Sequence, residues 1–373
     1  QMNDLGIEQR HMPLVRLLRK SFALPTETAL TFSQHEWQKA FDDARKQALV
    51  GVLWPYVSSL QEKERPPRDV LLRWYAMAEQ IKVMNERVNA AAIDVVKTFA
   101  ANGFRSAVLK GQGLALLYPH PELRNPGDVD LWVEGERKQV LKYVRKVCPK
   151  GEVRYHHVDY PPVNGVEVEV HFTPSWMNYC LSNAKLQRYF KQQSGLQFEH
   201  SELLRDGSSA TLPVPTESFN AVYVLIHIYR HLLGEGIGLR QVMDYYYVVK
   251  SLPVDKREQV VAHLESLNLT SFAKALMYVL QQLFGLSPNY FIVPPDEYSG
   301  RFVMDEILRS GNFGKYDERL KRKANETALY RFVRSLHRNV RFVRYFPTET
   351  LCDPLFKLWQ FTWQHLHRYR RKS

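Results

Sequence analysis

Residues 109–133 read Leu109-Lys110-Gly111-Gln112-Gly113-Leu114-Ala115-Leu116-Leu117-Tyr118-Pro119-His120-Pro121-Glu122-Leu123-Arg124-Asn125-Pro126-Gly127-Asp128-Val129-Asp130-Leu131-Trp132-Val133. The stretch closes on Asp128-Val129-Asp130, running into an apolar strand. Residues two apart in a strand project from the same face, so both carboxylates lie side by side, roughly 6–7 Å apart along the chain. A second acidic strand, Val166-Glu167-Val168-Glu169-Val170-His171-Phe172, follows. A carboxylate from it would complete a site for a hard cation, which takes oxygen ligands. Glu169 is the expected third ligand and Glu167 the reserve, since both share a face with His171.

Upstream, Lys110-Gly111-Gln112-Gly113 sits where a short buried strand, 105–109, gives way to a short helix, 111–117. Glycine admits a phosphate to the backbone, and a helix N-terminus offers free N–H groups. A Walker A loop is excluded, because no Lys and hydroxyl residue follow the second glycine. Arg124 is a candidate phosphate clamp, or an ion pair holding the Pro-rich loop against Asp128.

Taken together, Leu-Lys-Gly, Tyr118-Pro119, Arg124, Gly-Asp-x-Asp and Glu-x-His resemble an uncharacterised bacterial nucleotidyltransferase family of the polymerase-β-like superfamily. The resemblance covers residues 105–172, with a weaker continuation through His227, His231, Gly238, Arg240 and Asp244. It implies an α+β fold with a small mixed sheet and transfer of an NMP from an NTP, ATP foremost, to an acceptor hydroxyl. It further implies Mg²⁺ or Mn²⁺ held by Asp128, Asp130 and Glu169, with Lys110, Gly111, Gln112, Arg124 and Arg240 binding the nucleotide. The superfamily usually has Gly-Ser where this chain has Gly111-Gln112. Two other readings stay open: a tRNA-type transferase directed to nucleic acid, and a degenerate nucleotide-binding protein without turnover. The acceptor, whether small molecule, protein or RNA, is not written in the sequence.

At 373 residues the chain has room for two or three domains. The expected plan is a helical region over 1–103, an α/β core over 104–215 and a helical domain over 216–373. Helices are expected at 35–62 and 68–102, the second with Leu71, Trp74, Met77, Ile81, Met84 and Val88 at spacings of three and four. Segment 137–147 reads as a helix, and 152–157 and 166–172 as strands parted by a turn at 161–165. Helical periodicity returns at 217–233, 238–251, 254–267, 269–285, 299–310, 326–345 and 354–369.

No apolar run reaches the roughly 18 residues of a membrane span. Arg10, Arg16, Arg19 and Lys20 break up any signal-peptide core, and Gln1 ahead of Met2 reads as an expression remnant. Cys148, Cys180 and Cys352 have neither disulfide-framework nor zinc spacing, which fits a reducing cytosol. His227 and His231 lack the Glu that a metalloprotease helix places after its first His. The net charge is +12, and residues 331–373 carry +8 of it. Arg331, Arg334, Arg338 and Arg341 share one helix face, the mark of an anionic partner or of a solvated surface.

Overall fold

The computed structural model describes residues 11–24, 30–317, 319 and 327–369. Gln1, Met2, Arg10 and the tail cations Arg370, Arg371 and Lys372 lie outside the described residues, as does position 326, where the helix over 326–345 was expected to begin.

Three short helices come first: α1 (Met12–Ser21), α2 (Gln34–Lys46) and α3 (Val50–Ser59). Ser33 and Glu36 form a capping box that starts α2. The single helix expected over 35–62 is broken because Ala48 takes a left-handed φ of 57°. Helix α4 (Arg68–Ala101) then runs unbroken. Its buried face is Val70, Trp74, Ala78, Ile81, Asn85, Val88, Ala92, Val95 and Phe99, and Met84 is exposed. Asn85 sits in that apolar stripe because its amide donates to the carbonyls of Glu122 and Arg124, each at 2.8 Å. It ties the helix to the loop that leads into Asp128.

The sheet has four strands, β1 (Ser106–Leu109), β2 (Val129–Val133), β3 (His157–Val163) and β4 (Val166–His171), in the order β1-β2-β4-β3. β1 and β2 are antiparallel, β2 and β4 parallel, and β4 and β3 antiparallel, so the sheet is mixed, as expected. Helix α5 (Gly111–Ala115) follows β1, and α6 (Arg137–Val147) follows β2. β3 begins where the expected strand 152–157 ends, and it runs through Pro161-Pro162. The register shifts between Tyr160 and Val163, and the chain turns only at Asn164-Gly165, both at positive φ.

Alternation splits the sheet into two faces. Val108, Val129, Leu131, Val133, Val168 and Val170 pack on Val88, Ala92, Val95 and Phe99 of α4 and on Val140 and Val144 of α6. The opposite face turns Leu109 and Trp132 toward the rest of the molecule. It meets α7 (Cys180–Glu199), a helix that no stripe in the sequence announced, and α8 (Glu217–Gly234). Trp132 stacks on Phe219 of α8 with ring centroids 5.5 Å apart. A small hairpin, β5 (Ser201–Leu203) with β6 (Thr211–Pro213), joins α7 to α8.

Helices α9 (Leu239–Ser251), α10 (Arg257–Ser266), α11 (Thr270–Phe284), α12 (Glu297–Ser310), α13 (Ala328–Phe342) and α14 (Pro347–Tyr369) complete the described chain. One apolar cluster contains Leu14, Trp37 and Trp74 together with Phe219, Tyr245, Phe272 and Val303, so N-terminal and C-terminal helices share a core. Among the described residues, no helix is long and apolar enough to cross a membrane.

Candidate active site

The chemistry lies on the sheet face that looks away from α4. In β2, Val129, Leu131 and Val133 face that helix, which leaves Asp130 and Trp132 on the other side. Parallel pairing sets Asp130 opposite Glu169 and Trp132 opposite His171. Oxygens of Asp130 and Glu169 and a ring nitrogen of His171 come within 4.8 Å of one another. His171 Nε2 lies 2.8 Å from Asp130 Oδ1 and 3.5 Å from Glu169 Oε2. Lys110 Nζ lies 2.9 Å from Asp130 Oδ2. Glu167, one strand repeat away, is exposed and outside this group.

Lys110 follows β1 with φ 53° and Gly111 comes next at φ 36°, a turn between the strand and α5. Gly113 is needed for a different reason: a Cβ there would meet Val214 Cγ1 at 3.1 Å and the Val108 carbonyl at 3.2 Å. In front of the turn lies a cavity of about 290 Å³. Lys110, Gly111, Arg124, Asp128, Asp130 and Arg240 line it, with Asp244, His227, Phe313 and Lys315.

The charges are strongly coupled. Asp130's charge pushes the Asp128 carboxyl up to about 6, with partial desolvation adding to it and Lys110 pulling the other way, although Asp128 keeps an exposed surface. Burial opposes ionisation of Asp130, yet Lys110 and the His171 hydrogen bond hold its carboxyl well below the usual range. Burial likewise works against Glu169, and His171 outweighs it to lower that carboxyl. Burial disfavours the His171 imidazolium, but hydrogen bonds to Asp130 and Glu169 raise its pKa. Lys110 is desolvated, and Asp130 more than restores its ammonium. These groups fit a hard divalent cation: the neighbouring negative charge opposes ionisation of the Asp128 carboxyl, and a cation relieves that repulsion.

The other residues singled out in the sequence divide. Arg240 is 8 % exposed and donates from Nη1 to the Asn125 carbonyl at 2.9 Å. Its Nε has no hydrogen-bond partner among the described residues, and burial, then the charge of Arg124, lowers its pKa to about 10. It is a buried cation at a cavity wall. Arg124 also reaches that wall, but its fork is spent: Nε and Nη2 donate to Asp244 Oδ1 and Oδ2 at 2.7 and 2.8 Å. The expected phosphate clamp is therefore an internal ion pair. Its partner is Asp244 rather than Asp128.

Gln112 does not join the cavity. It leaves the turn on the opposite side of α5, where its amide donates to Asn85 and Asn89 of α4. His227 lines the cavity and meets His231 edge to face, with centroids 4.3 Å apart. Burial drives the His227 pKa well down. The basic helix also reads differently in three dimensions. Arg338 is 1 % exposed, and its Nε donates to the carbonyls of Leu232 and Leu233 at 3.2 and 2.9 Å, capping the end of α8. Arg341 Nη2 lies 3.4 Å from Glu306 Oε2. The expected continuous basic face is thus partly a set of internal contacts.

Three participants escaped the sequence reading, and a fourth, Tyr118, entered it only as part of a motif and without a role. Tyr118 donates to Asp244 Oδ1 at 2.7 Å. His157, the first residue of β3, brings Nδ1 to 3.1 Å from Glu169 Oε2. Burial, then His171, lowers its pKa to about 4. Arg230 of α8 lies over the Trp176 ring, 3.0 Å from its centroid, and burial lowers its pKa to about 9. Lys315 reaches the cavity from beyond α12. The doublet His156-His157, in a segment read as a strand, was the one available signal.

A family model described as "Uncharacterised nucleotidyltransferase" matches residues 33–285. Among solved structures, an antigenic nucleotidyltransferase-like protein from Paracoccidioides brasiliensis is similar at 13% identity and a TM-score of 0.29, covering 50% of this chain and 93% of its own. No curated protein matches.

Proposed function

The chain belongs to the uncharacterised nucleotidyltransferase family, and on that premise we propose that it moves an NMP from an NTP, ATP foremost, onto an acceptor hydroxyl, releasing pyrophosphate. The observation that carries the reading is one cavity lined by Asp128 and Asp130 together with Lys110 and Arg240. Carboxylates beside a lysine and a buried arginine on one wall suit a metal-bound polyphosphate.

In this reading Asp128, Asp130 and Glu169 hold Mg²⁺ or Mn²⁺. The ion supplies neutralisation of phosphate charge and lowers the pKa of the acceptor hydroxyl. Lys110 and Arg240 hold the β- and γ-phosphates, beside the Gly111 backbone. The acceptor oxygen forms its bond to the α-phosphorus as the bond from that phosphorus to the pyrophosphate oxygen breaks. The acceptor proton passes to Glu169, and pyrophosphate leaves with the electron pair. Arg124 acts at one remove: through Asp244 it fixes the loop that carries Asp128.

The test is incubation of the purified protein with each of four α-labelled NTPs and cell extract. Label moving to an acceptor, with pyrophosphate released, supports the proposal. Retention of that transfer in both Asp128→Asn and Asp130→Asn removes it.

A further inference from the structure

Beside the carboxylates lies a second group of donors that nucleotidyl transfer leaves unused. His156, His157 and His171 each offer a ring nitrogen within 4.8 Å of the others. His157 and His171 are register partners on β3 and β4, which brings the two rings together from adjacent strands, and each is 2 % exposed. His156 precedes β3 and is held by Trp176, with ring centroids 4.1 Å apart.

The separations between donor atoms are informative. His156 Nε2 and His157 Nδ1 are 2.9 Å apart. His157 Nδ1 is 3.1 Å from Glu169 Oε2, and His171 Nε2 is 3.5 Å from the same oxygen. Donors bound to one first-row metal at about 2.0–2.2 Å stand roughly 3.0–3.5 Å from their neighbours in octahedral or tetrahedral sets. The outer nitrogen of the His157 ring lies 3.8 Å from Asp159 Oδ1, beyond hydrogen-bond distance, and is buried without a hydrogen-bond partner among the described residues. Donor type discriminates as well: imidazoles favour transition metals, whereas Mg²⁺ favours oxygen.

We propose that His156, His157 and His171, with Glu169 as fourth donor, form a transition-metal site adjoining the Asp128–Asp130 pair and differing from it in ligand chemistry. Loading the site takes His171 Nε2 off the Asp130 carboxylate. Glu169 then faces both centres, so the ion holds that carboxylate in place. The inference does not rest on the nucleotidyl-transfer reading.

The experiment is titration of chelator-stripped protein with Zn²⁺ in excess Mg²⁺, followed by calorimetry. The expected result is one equivalent of Zn²⁺ bound by the wild type and by Asp128→Asn alike. Affinity should fall about tenfold or more in His156→Gln and in His157→Gln. X-ray absorption at the zinc edge of the wild type should show imidazole ligands, and it decides the matter even where a glutamine variant fails to fold. The proposal is overturned by a wild type that binds no Zn²⁺, by folded glutamine variants that bind as the wild type does, by loss of binding in Asp128→Asn, or by a shell of oxygens alone.

Discussion

Replacing Asp244 with leucine should cost about 4–8 kcal/mol of folding stability, a magnitude that follows from what the carboxylate holds. Arg124 and Asp244 are 3 % and 4 % exposed and meet through two bonds of 2.7 and 2.8 Å. Tyr118 adds a third at 2.7 Å. Taking one partner from a desolvated pair leaves the other charge stranded, at about 3–5 kcal/mol. A Tyr118 hydroxyl left without an acceptor adds about 1–3 kcal/mol. Arg124→Met strands Asp244 in the same way, at about 3–5 kcal/mol. The double variant Arg124→Met, Asp244→Leu removes both charges, so it should cost less than Asp244→Leu alone, with a coupling of about 2 kcal/mol or more. Urea denaturation followed by circular dichroism gives all four corners of the cycle. A loss below about 1 kcal/mol in Asp244→Leu, or strict additivity, refutes the argument that burial makes this pair interdependent.

Glu169→Gln should abolish NTP turnover while Glu167→Gln leaves most of it, because Glu169 stands beside Asp130 and Glu167 faces solvent; equal loss in both removes Glu169 from its role. Asp128, raised to about 6, contributes stability that is present below its unfolded value and lost as pH rises through about 6. Asp128→Asn should therefore match the wild type at pH 4 and exceed it at pH 8, by about 1 kcal/mol or less because the residue is exposed, as thermal scans at the two pH values will show. Arg338→Ala should lower stability by about 2–4 kcal/mol, because it uncaps α8, while exposed Arg331→Glu stays within about 0.5 kcal/mol by urea denaturation. Reversing Arg334 and Arg338 together thus tests folding before it tests any anionic acceptor.

What the chain settles by itself is what a strand or helix imposes on its own neighbours. Period two in Asp128-Val129-Asp130 and in Glu167-Val168-Glu169-Val170-His171 commits acids to one face and valines to the other, whatever the rest of the molecule does. The helices of the C-terminal half are legible for the same reason, since their apolar residues recur every three or four positions. Helix α7 is not, because its buried residues, Ser182, Leu186, Tyr189, Phe190, Gln197 and Phe198, mix polar with apolar side chains. Choice of partner lies beyond any local rule. Asp244 takes Arg124 from 120 positions away, although Arg240 stands one turn from it. Gln112 and Gly111 are adjacent, yet a single step of α5 turns the glutamine to α4 and leaves the glycine in the cavity. Arg338 belongs to a helix that looks basic and amphipathic, and the open carbonyls of Leu232 and Leu233 decide its fate. His156 and His157 become neighbours of Glu169 only when β3 pairs with β4 in register. Backbone periodicity is set by dihedral angles within a few residues, but a buried charge or imidazole is held by whichever distant group the packing brings to it, and that is a property of the folded molecule.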